Sequence, residues 1–430
     1  MGLLNKISDA IGIEDDSEKG LTFKPNTKGD KVIWSIVAIL VIISLMVVYS
    51  STGSLAYKQN KGNTEYYLFK QIVFIAVGVA VIYFTHLIDY KWFSKVSLWM
   101  YIISIPLLIY TLKFGANLNE ANRWIMLPIV KITFQTSDFA RLALFMYLAR
   151  QLSRKQEAIT DLYTGYLPLI FPIFLTCGLI APANLSTALL TGATGILVLF
   201  LGRARIKHIL GTASIAIIPI GILVVYALAT YNPNVNFDQQ IAASASTNQG
   251  IKSAGRIGTW IKRIQDFKYA EGDAIPYQVQ QAKIAVAKGG WFGLGPGKSE
   301  QRNFLPHSYS DYIYPIIIEE YGIFGGLVIV VLYMTFLYRS IRLFRRAPKA
   351  FGAFLALALS ITLAIQAIAN MGVAVGLLPV TGVTLPLISM GGTSFLFTCF
   401  SIGIILSVAR SVEGNTLKET DENVEVKAAV

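Results

Sequence analysis

Asp311 stands where a glycine-rich stretch meets an apolar run, in YQVQQAKIAVAKGGWFGLGPGKSEQRNFLPHSYSDYIYPIIIEEYG from Tyr277 to Gly322. A carboxylate entering a low-dielectric boundary is expected to hold its proton more tightly than usual, which suits a general base near neutral pH. The same place suits a helix cap, because an Asp ahead of a helix accepts hydrogen bonds from its first amides. Position alone leaves both roles open. Glu319 and Glu320 follow eight and nine residues later, about 12–13 Å deeper along a continuous helix. Acids at such depth face a cavity or a basic partner. At about 100° per residue Glu319 falls nearer the Asp311 face, so the spacing predicts one acid lining a cavity and the other pairing structurally.

Five glycines in nine residues, Gly289, Gly290, Gly293, Gly295 and Gly297, lead to Lys298 and Ser299. GPGKS looks like part of a nucleotide P-loop, but the glycine required five positions before Gly297 is Phe292, which argues against nucleotide binding. The stretch reads either as a flexible turn at the membrane surface or as a cradle in which Lys298, Ser299 and backbone amides hold a lipid-linked phosphate. Ahead of it an amphipathic helix is expected, with Val279, Ala282, Ala285 and Val286 on one face and Gln278, Gln281 and Lys288 elsewhere. Gln278 joins the substrate-binding candidates. A second group has Arg123 and Trp124 in an outer loop, then Asp138 and Arg141 spaced i, i+3 on a helix. That spacing gives either a structural ion pair or an anion-binding arginine. A third, NMGVAVGLLPVTGVTLPLISMGGTS from Asn370 to Ser394, interrupts an apolar region with Gly and Pro. Broken helices at membrane depth line cavities, so this segment is expected to border the same outward-facing pocket.

The elements that must carry these residues are membrane helices. Of 430 residues 54% are hydrophobic and only 14% charged, against about 25% charged in soluble domains. The apolar residues form runs long enough to cross a hydrocarbon core. About ten spans are expected, at 34–50, 68–87, 96–113, 138–149, 163–181, 185–202, 209–230, 312–338, 352–375 and 386–409, so the fold class is an all-α polytopic membrane protein. Lys91 and Lys95, then Arg150, Arg154 and Lys155, then Arg203, Arg205 and Lys207, then Arg339, Arg342, Arg345, Arg346 and Lys349 mark short connections. The positive-inside rule assigns these to the cytoplasm, and ten spans put all of them on one side. Residues 231–311 then form a long extracytoplasmic loop between helices 7 and 8. The flanks are a cytoplasmic N-terminal tail, 1–33, and a disordered cytoplasmic C-terminal tail, 411–430, around a transmembrane domain of 34–410. No cleaved signal peptide is expected in the first residues.

The formal net charge of +12 belongs to these topology signals rather than to nucleic-acid binding. Three histidines, His86, His208 and His307, lie far apart, and Cys177 and Cys399 sit in apolar stretches. No zinc site is expected.

Together these stretches resemble the SEDS family of bacterial cell-wall polymerases, which includes RodA and FtsW. The resemblance rests on GG-x-x-G-x-G-x-G-x-S leading to LP, D-x-I and E-E-x-G; on RWI followed by FQ-x-S; and on N-x-G-V-x-x-G-x-x-P ending in LPLIS-x-GG-x-S. It implies a lipid II substrate, glycan polymerisation in the bacterial cytoplasmic membrane, and a class B penicillin-binding transpeptidase and division-complex membrane proteins as partners. By position, Asp311 corresponds to the acid that family members need. Asp138 and Arg141 stand where the family usually has Glu and Lys. The usual Q-P-D-x-G-T reads Pro182-Ala183-Asn184-Leu185-Ser186-Thr187 here, so a role for that acid does not carry over. Thr384, the N-terminal extension, Arg256 and Arg263 favour an FtsW-type septal enzyme over a RodA-type elongation enzyme.

The implied reaction is inverting transfer. The acceptor N-acetylglucosamine 4-hydroxyl attacks C1 of the donor N-acetylmuramic acid, with Asp311 taking the proton and undecaprenyl pyrophosphate leaving. Arg123, Arg141, Lys298 or a divalent cation would stabilise the leaving group, and no other cofactor is implied. A lipid II flippase is the main rival, since gapped helices and intramembrane charges also describe a translocation path.

Overall fold

A computed structural model of the chain describes residues 29–53, 64–118, 121–126, 133–231, 254–270 and 275–428, with residues 13–14, 22–23, 55 and 57 besides. The expected N-terminal tail lies largely outside the described residues. Among the described residues twelve helices run in chain order: α1 Lys31–Ser51, α2 Thr64–Leu87, α3 Tyr90–Phe114, α4 Thr136–Arg154, α5 Leu167–Ile180, α6 Leu185–Leu201, α7 Ile206–Ala229, α8 Ala254–Tyr269, α9 Tyr277–Gly289, α10 Ile313–Arg346, α11 Ala350–Ala374 and α12 Gly392–Ala428. Eight are long and apolar enough to cross a membrane. Leu185–Leu201 is a shorter apolar helix, and α4 has the buried polar pair Asp138 and Arg141 on it. The protein is a multi-pass membrane protein.

α11 is buried along most of its length and packs against α4, α6, α10 and α12. Small residues let its neighbours close on one another. A Cβ at Gly78 would fall 2.5 Å from the Phe395 ring, and one at Gly403 would fall 2.6 Å from Thr85, so α2 and α12 meet through glycines, as membrane helices commonly do. At one end of the bundle Asp30 caps α1, accepting from the amides of Val32 and Ile33, and pairs with Arg339 at 2.6 Å. Only Ile209 and Ala227 of α7 are fully buried, and many of its apolar side chains, Ile215, Ile218 and Ile222 among them, are exposed.

The all-α fold class holds, with two small antiparallel sheets added to it, and three expectations need correction. β1 (Ile13–Glu14) pairs with β2 (Thr22–Phe23), and β3 (Ala116–Leu118), β4 (Ala121–Met126) and β5 (Thr133–Gln135) pair in that order. In the second sheet Trp124, Ile125 and Phe134 are strand formers, and Thr393 ties β5 to the start of α12 through Thr133 O and the Gln135 amide. The long loop holds two helices, α8 and α9, of which only α9 was expected. The last span begins at Gly392 rather than at 386, because Leu387 takes a positive φ of 63° and glycines follow it. Beyond Arg410 the helix continues to Ala428 where a disordered tail was expected; Glu and Lys in that stretch favour helix.

Candidate active site at the end of the bundle

The glycine segment is a packing device. A Cβ at Gly289 would lie 2.1 Å from Ile318 O, one at Gly293 2.3 Å from Glu320 O, and one at Gly322 2.1 Å from Trp291 O. No side chain fits where backbones approach so closely. The amides of Leu294 and Gly295 donate to the carbonyls of Glu319 and Glu320 at 2.9 Å, and Ile323 N donates to Gly290 O at 2.9 Å. Those amides are committed to α10 and are not presented to an anion.

Gly322, with φ 71° and ψ −174°, breaks α10. Tyr314 Oη lies 3.0 Å from the position a Cβ would take on Gly326, whereas twelve residues of straight helix would separate them by about 18 Å. The segment 313–321 therefore folds back beside the rest of the helix, with Gly322 at the vertex. This overturns the expectation that Glu319 and Glu320 lie deeper than Asp311. Both reach instead the Ser50 end of α1, opposite the Asp30–Arg339 pair. Glu320 accepts from Ser50 Oγ, and Arg302 Nη1 donates to Ser50 O at 3.3 Å and Oγ at 3.0 Å. Glu319 accepts from Ser299 Oγ and from the amides of Glu300 and Gln301, each at 3.2 Å. Glu319 and Glu320 are 0% and 1% exposed. Ser299 is buried with them, whereas Lys298 is exposed.

Asp311 is half-buried and its main chain is fixed from below. Asn370 Nδ2 donates to Asp311 O at 2.8 Å and to Val383 O at 2.7 Å. Ser389 Oγ donates to Ser310 O at 2.6 Å, and Met390 N donates to Tyr309 O at 2.9 Å. The interrupted segment 375–391 is thus the floor on which Asp311 rests. Burial pushes the hydroxyls of Tyr309 and Tyr312 above the usual tyrosine range; the Asp311 charge adds to both shifts, after Tyr67 in the case of Tyr309, and Arg263 opposes it at Tyr312.

Beside this floor lies a cavity of about 320 Å³ between α8, α9 and residues 373–380, lined by Lys262, Arg263, Gln278, Lys283, Val373 and Gly376 among others. Gln278, one of the expected substrate contacts, is among its lining residues. Asp311 is not among the lining residues, but Asn370 sits one turn from Val373 on α11. Lys262 and Lys283 had no role in the sequence reading, and Arg263 entered it only as a feature of the FtsW type, although cations on an amphipathic loop helix were a visible signal.

Asp138 and Arg141 meet at 3.5 Å, with side chains 6% and 10% exposed. Arg141 Nη2 also donates to Gln366 Oε1 at 2.7 Å, and Gln366 Nε2 donates to Thr384 O at 2.9 Å. Gln366 and Asn370 stand i, i+4 on α11, so one helix face joins the pair to the carbonyls of residues 383 and 384 and to Asp311. Gln366 was missed, although a lone amide inside an apolar run is a legible signal. Arg123 lies on β4, with its side chain outside the described residues. Among the described residues no three His, Cys, Asp or Glu side chains form a metal-binding group.

Residues 30–414 match the family described as "Cell cycle protein", that of FtsW, RodA and SpoVE. The chain belongs to this family. It is 32% identical over 390 residues to the probable peptidoglycan glycosyltransferase FtsW of Trichlorobacter lovleyi, covering 89% of this chain and 94% of that relative. It is 31% identical over 393 residues to stage V sporulation protein E of Bacillus subtilis, covering 89% and 98%. The fold is similar to a chain solved in a peptidoglycan synthase complex that coordinates polymerization and crosslinking, with TM-score 0.68, 22% identity and coverage of 89% and 98%. It is also similar to RodA of Thermus thermophilus, with TM-score 0.59, 20% identity and coverage of 89% and 97%.

Family membership puts the departures in a structural light. Asn184, an amide at a position where the resemblance leads one to expect an acid, caps α6 by accepting from the Thr187 amide at 3.2 Å. An amide oxygen does this as well as a carboxylate.

Proposed function

We propose that this protein is a peptidoglycan glycosyltransferase that polymerises lipid II at the outer face of the bacterial cytoplasmic membrane, with Asp311 as general base. In this reading ten spans put both tails and the basic connections in the cytoplasm by the positive-inside rule, with the glycine segment and Asp311 outside. The observation that carries the reading is the mounting of Asp311: its main chain is held by Asn370 and the floor segment, its side chain is half-buried, and the same floor segment lines a ligand-sized cavity. Such preorganisation is what proton abstraction by a fixed base requires.

In the reaction, O4 of the acceptor N-acetylglucosamine forms a bond to C1 of the donor N-acetylmuramic acid. Its proton passes to the Asp311 carboxylate, and the bond from C1 to the pyrophosphate oxygen breaks with its electron pair leaving on the diphosphate. The FtsW and SpoVE names of the relatives support a septal or sporulation role over elongation. A class B penicillin-binding transpeptidase is the expected partner, in keeping with the synthase complex of the similar structure.

The test is glycan-chain synthesis from lipid II by purified protein with its transpeptidase partner. Wild type should make product and Asp311→Asn should not. An Asp311→Asn protein that polymerised at the wild-type rate would remove the base assignment. A wild type that moved lipid II across vesicles without making glycan would favour a flippase.

A further inference from the structure

Gln366 lies on α11, 3% exposed, with its side-chain amide held in one orientation. Oε1 accepts from Arg141 Nη2 at 2.7 Å, and Nε2 donates to Thr384 O at 2.9 Å. A guanidinium only donates and a carbonyl only accepts, so the two ends of the amide cannot be exchanged. The bond from Arg141 is charge-assisted and therefore stronger than a neutral one. Arg141 in turn pairs with Asp138 at 3.5 Å. α4 thereby anchors the amide, and the amide carries that anchor from α11 to the floor segment.

Thr384 is one of two neighbouring floor residues that α11 grips. One turn along the helix, Asn370 Nδ2 holds Val383 O at 2.7 Å and Asp311 O at 2.8 Å. On the other side of Thr384, Leu385 N donates to Ser389 Oγ at 2.8 Å, and Ser389 Oγ donates to Ser310 O at 2.6 Å. Met390 N closes on Tyr309 O at 2.9 Å. A shift of Thr384 is therefore passed to the Tyr309–Asp311 main chain along two paths, through Val383 and Asn370 and through Leu385 and Ser389. We infer that Gln366 is a positioning residue for Asp311, a strut that transmits the Asp138–Arg141 anchor to the floor beneath the base. This rests on the reading of Asp311 as general base. Asp138 and Arg141 then act on the reaction through Gln366 rather than by touching the substrate.

Gln366→Glu separates the strut from packing. It keeps the volume and the bond to Arg141, but an ionised carboxylate turns an acceptor toward Thr384 O. Gln366→Met, similar in size and apolar, removes both bonds and decides the matter if the acid variant fails to fold. Full-length wild type and variants, each with the transpeptidase partner, are compared for kcat and KM with lipid II, and for hydrogen exchange at the Leu385 and Met390 amides. In the variants kcat should fall by about 10- to 100-fold, because a displacement of about 1 Å is enough for the larger loss, while KM stays unchanged. Exchange at both amides should quicken by about tenfold. A raised KM with kcat preserved would overturn the inference in favour of a substrate contact. So would an unchanged kcat per folded molecule, or unchanged exchange at Met390, either of which would leave Gln366 only filling space. Failure of the parent reading looks different: wild type makes no glycan, or Asp311→Asn keeps its rate, while exchange at the two amides still reports the strut.

Discussion

Replacing Asn370 with alanine should damage the site from beneath. The Asn370 side chain is 1% exposed, and its single amide nitrogen holds Asp311 O at 2.8 Å and Val383 O at 2.7 Å. Removing it strands two carbonyls where water does not readily reach them. Each such group costs about 1–3 kcal/mol, so Asn370→Ala should destabilise the fold by about 2–6 kcal/mol before relaxation. Relaxation has a functional consequence, because the carbonyls can recover partners only if the Asp311 turn moves off the floor segment. A displacement of about 1 Å is enough to cost about 100-fold in rate. The assay pairs thermal unfolding of the purified protein with the initial rate of glycan synthesis. Asn370→Asp sharpens it, since an isosteric carboxylate would face two carbonyls with no donor. Were Asn370 only filling space, the Asp variant would behave as wild type. Unchanged melting and unchanged rate in Asn370→Ala would refute the reasoning.

Gly322→Ala should fail at the vertex of α10, where a Cβ would lie 2.1 Å from Trp291 O at φ 71°; the backbone alone costs about 1–3 kcal/mol, and protease sensitivity of residues 290–304 reads the outcome. Glu319→Gln replaces a charged acceptor of three hydrogen bonds with an amide, so hydrogen exchange at the Glu300 and Gln301 amides should quicken by about tenfold or more. Tyr312→Phe removes a buried hydroxyl that has no hydrogen-bond partner and should raise the melting temperature by the equivalent of about 1–3 kcal/mol. The pH dependence follows from the same group. Burial raises the folded-state pKa of Tyr312 above an unfolded value of about 10, so its ionisation does not weigh on the fold below that value and draws the chain toward the unfolded state as pH rises from there toward the folded one. Tyr312→Phe should therefore lose less stability than wild type above pH about 10.

The helices were legible because lipid demands long apolar runs. Each expected span coincides with a helix or lies largely within one, and the i, i+3 spacing of Asp138 and Arg141 gave their contact directly. What sequence periodicity could not show was direction. Glu319 and Glu320 were placed by counting rise along a continuous helix, and one residue, Gly322, reverses that path. The glycines misled for a related reason. A run of glycines is equally what an anion cradle and a close backbone crossing require, and only the positions of Ile318 O, Glu320 O and Trp291 O decide between them. The cavity was illegible because α8, α9 and the Gly376–Val380 turn are distant in the chain, and their convergence is a property of the fold.

The acids of the Asp311–Glu320 stretch differ in a way that assigns their work. A fully buried carboxylate is tolerable only when hydrogen-bond donors surround it. Glu319 meets that condition with a hydroxyl and two amides; Glu320 is held at one oxygen by Ser50, which Arg302 braces, while its Oε2 is buried without a hydrogen-bond partner among the described residues. Through these bonds the two acids serve as the clamp that joins the glycine segment to α10 and α1. Asp311 is arranged the other way round. Its backbone takes the restraints, from Asn370 and through neighbouring Ser310 from Ser389, while its side chain stays half-buried. Fixing the main chain lets the carboxylate change charge without unmaking the contacts that position it, which a general base must do in every turnover. The clamp therefore has its functional expression in Asp311: loosening Glu319 should lower the rate through displacement of the base and leave the protonation behaviour of the residual activity unchanged.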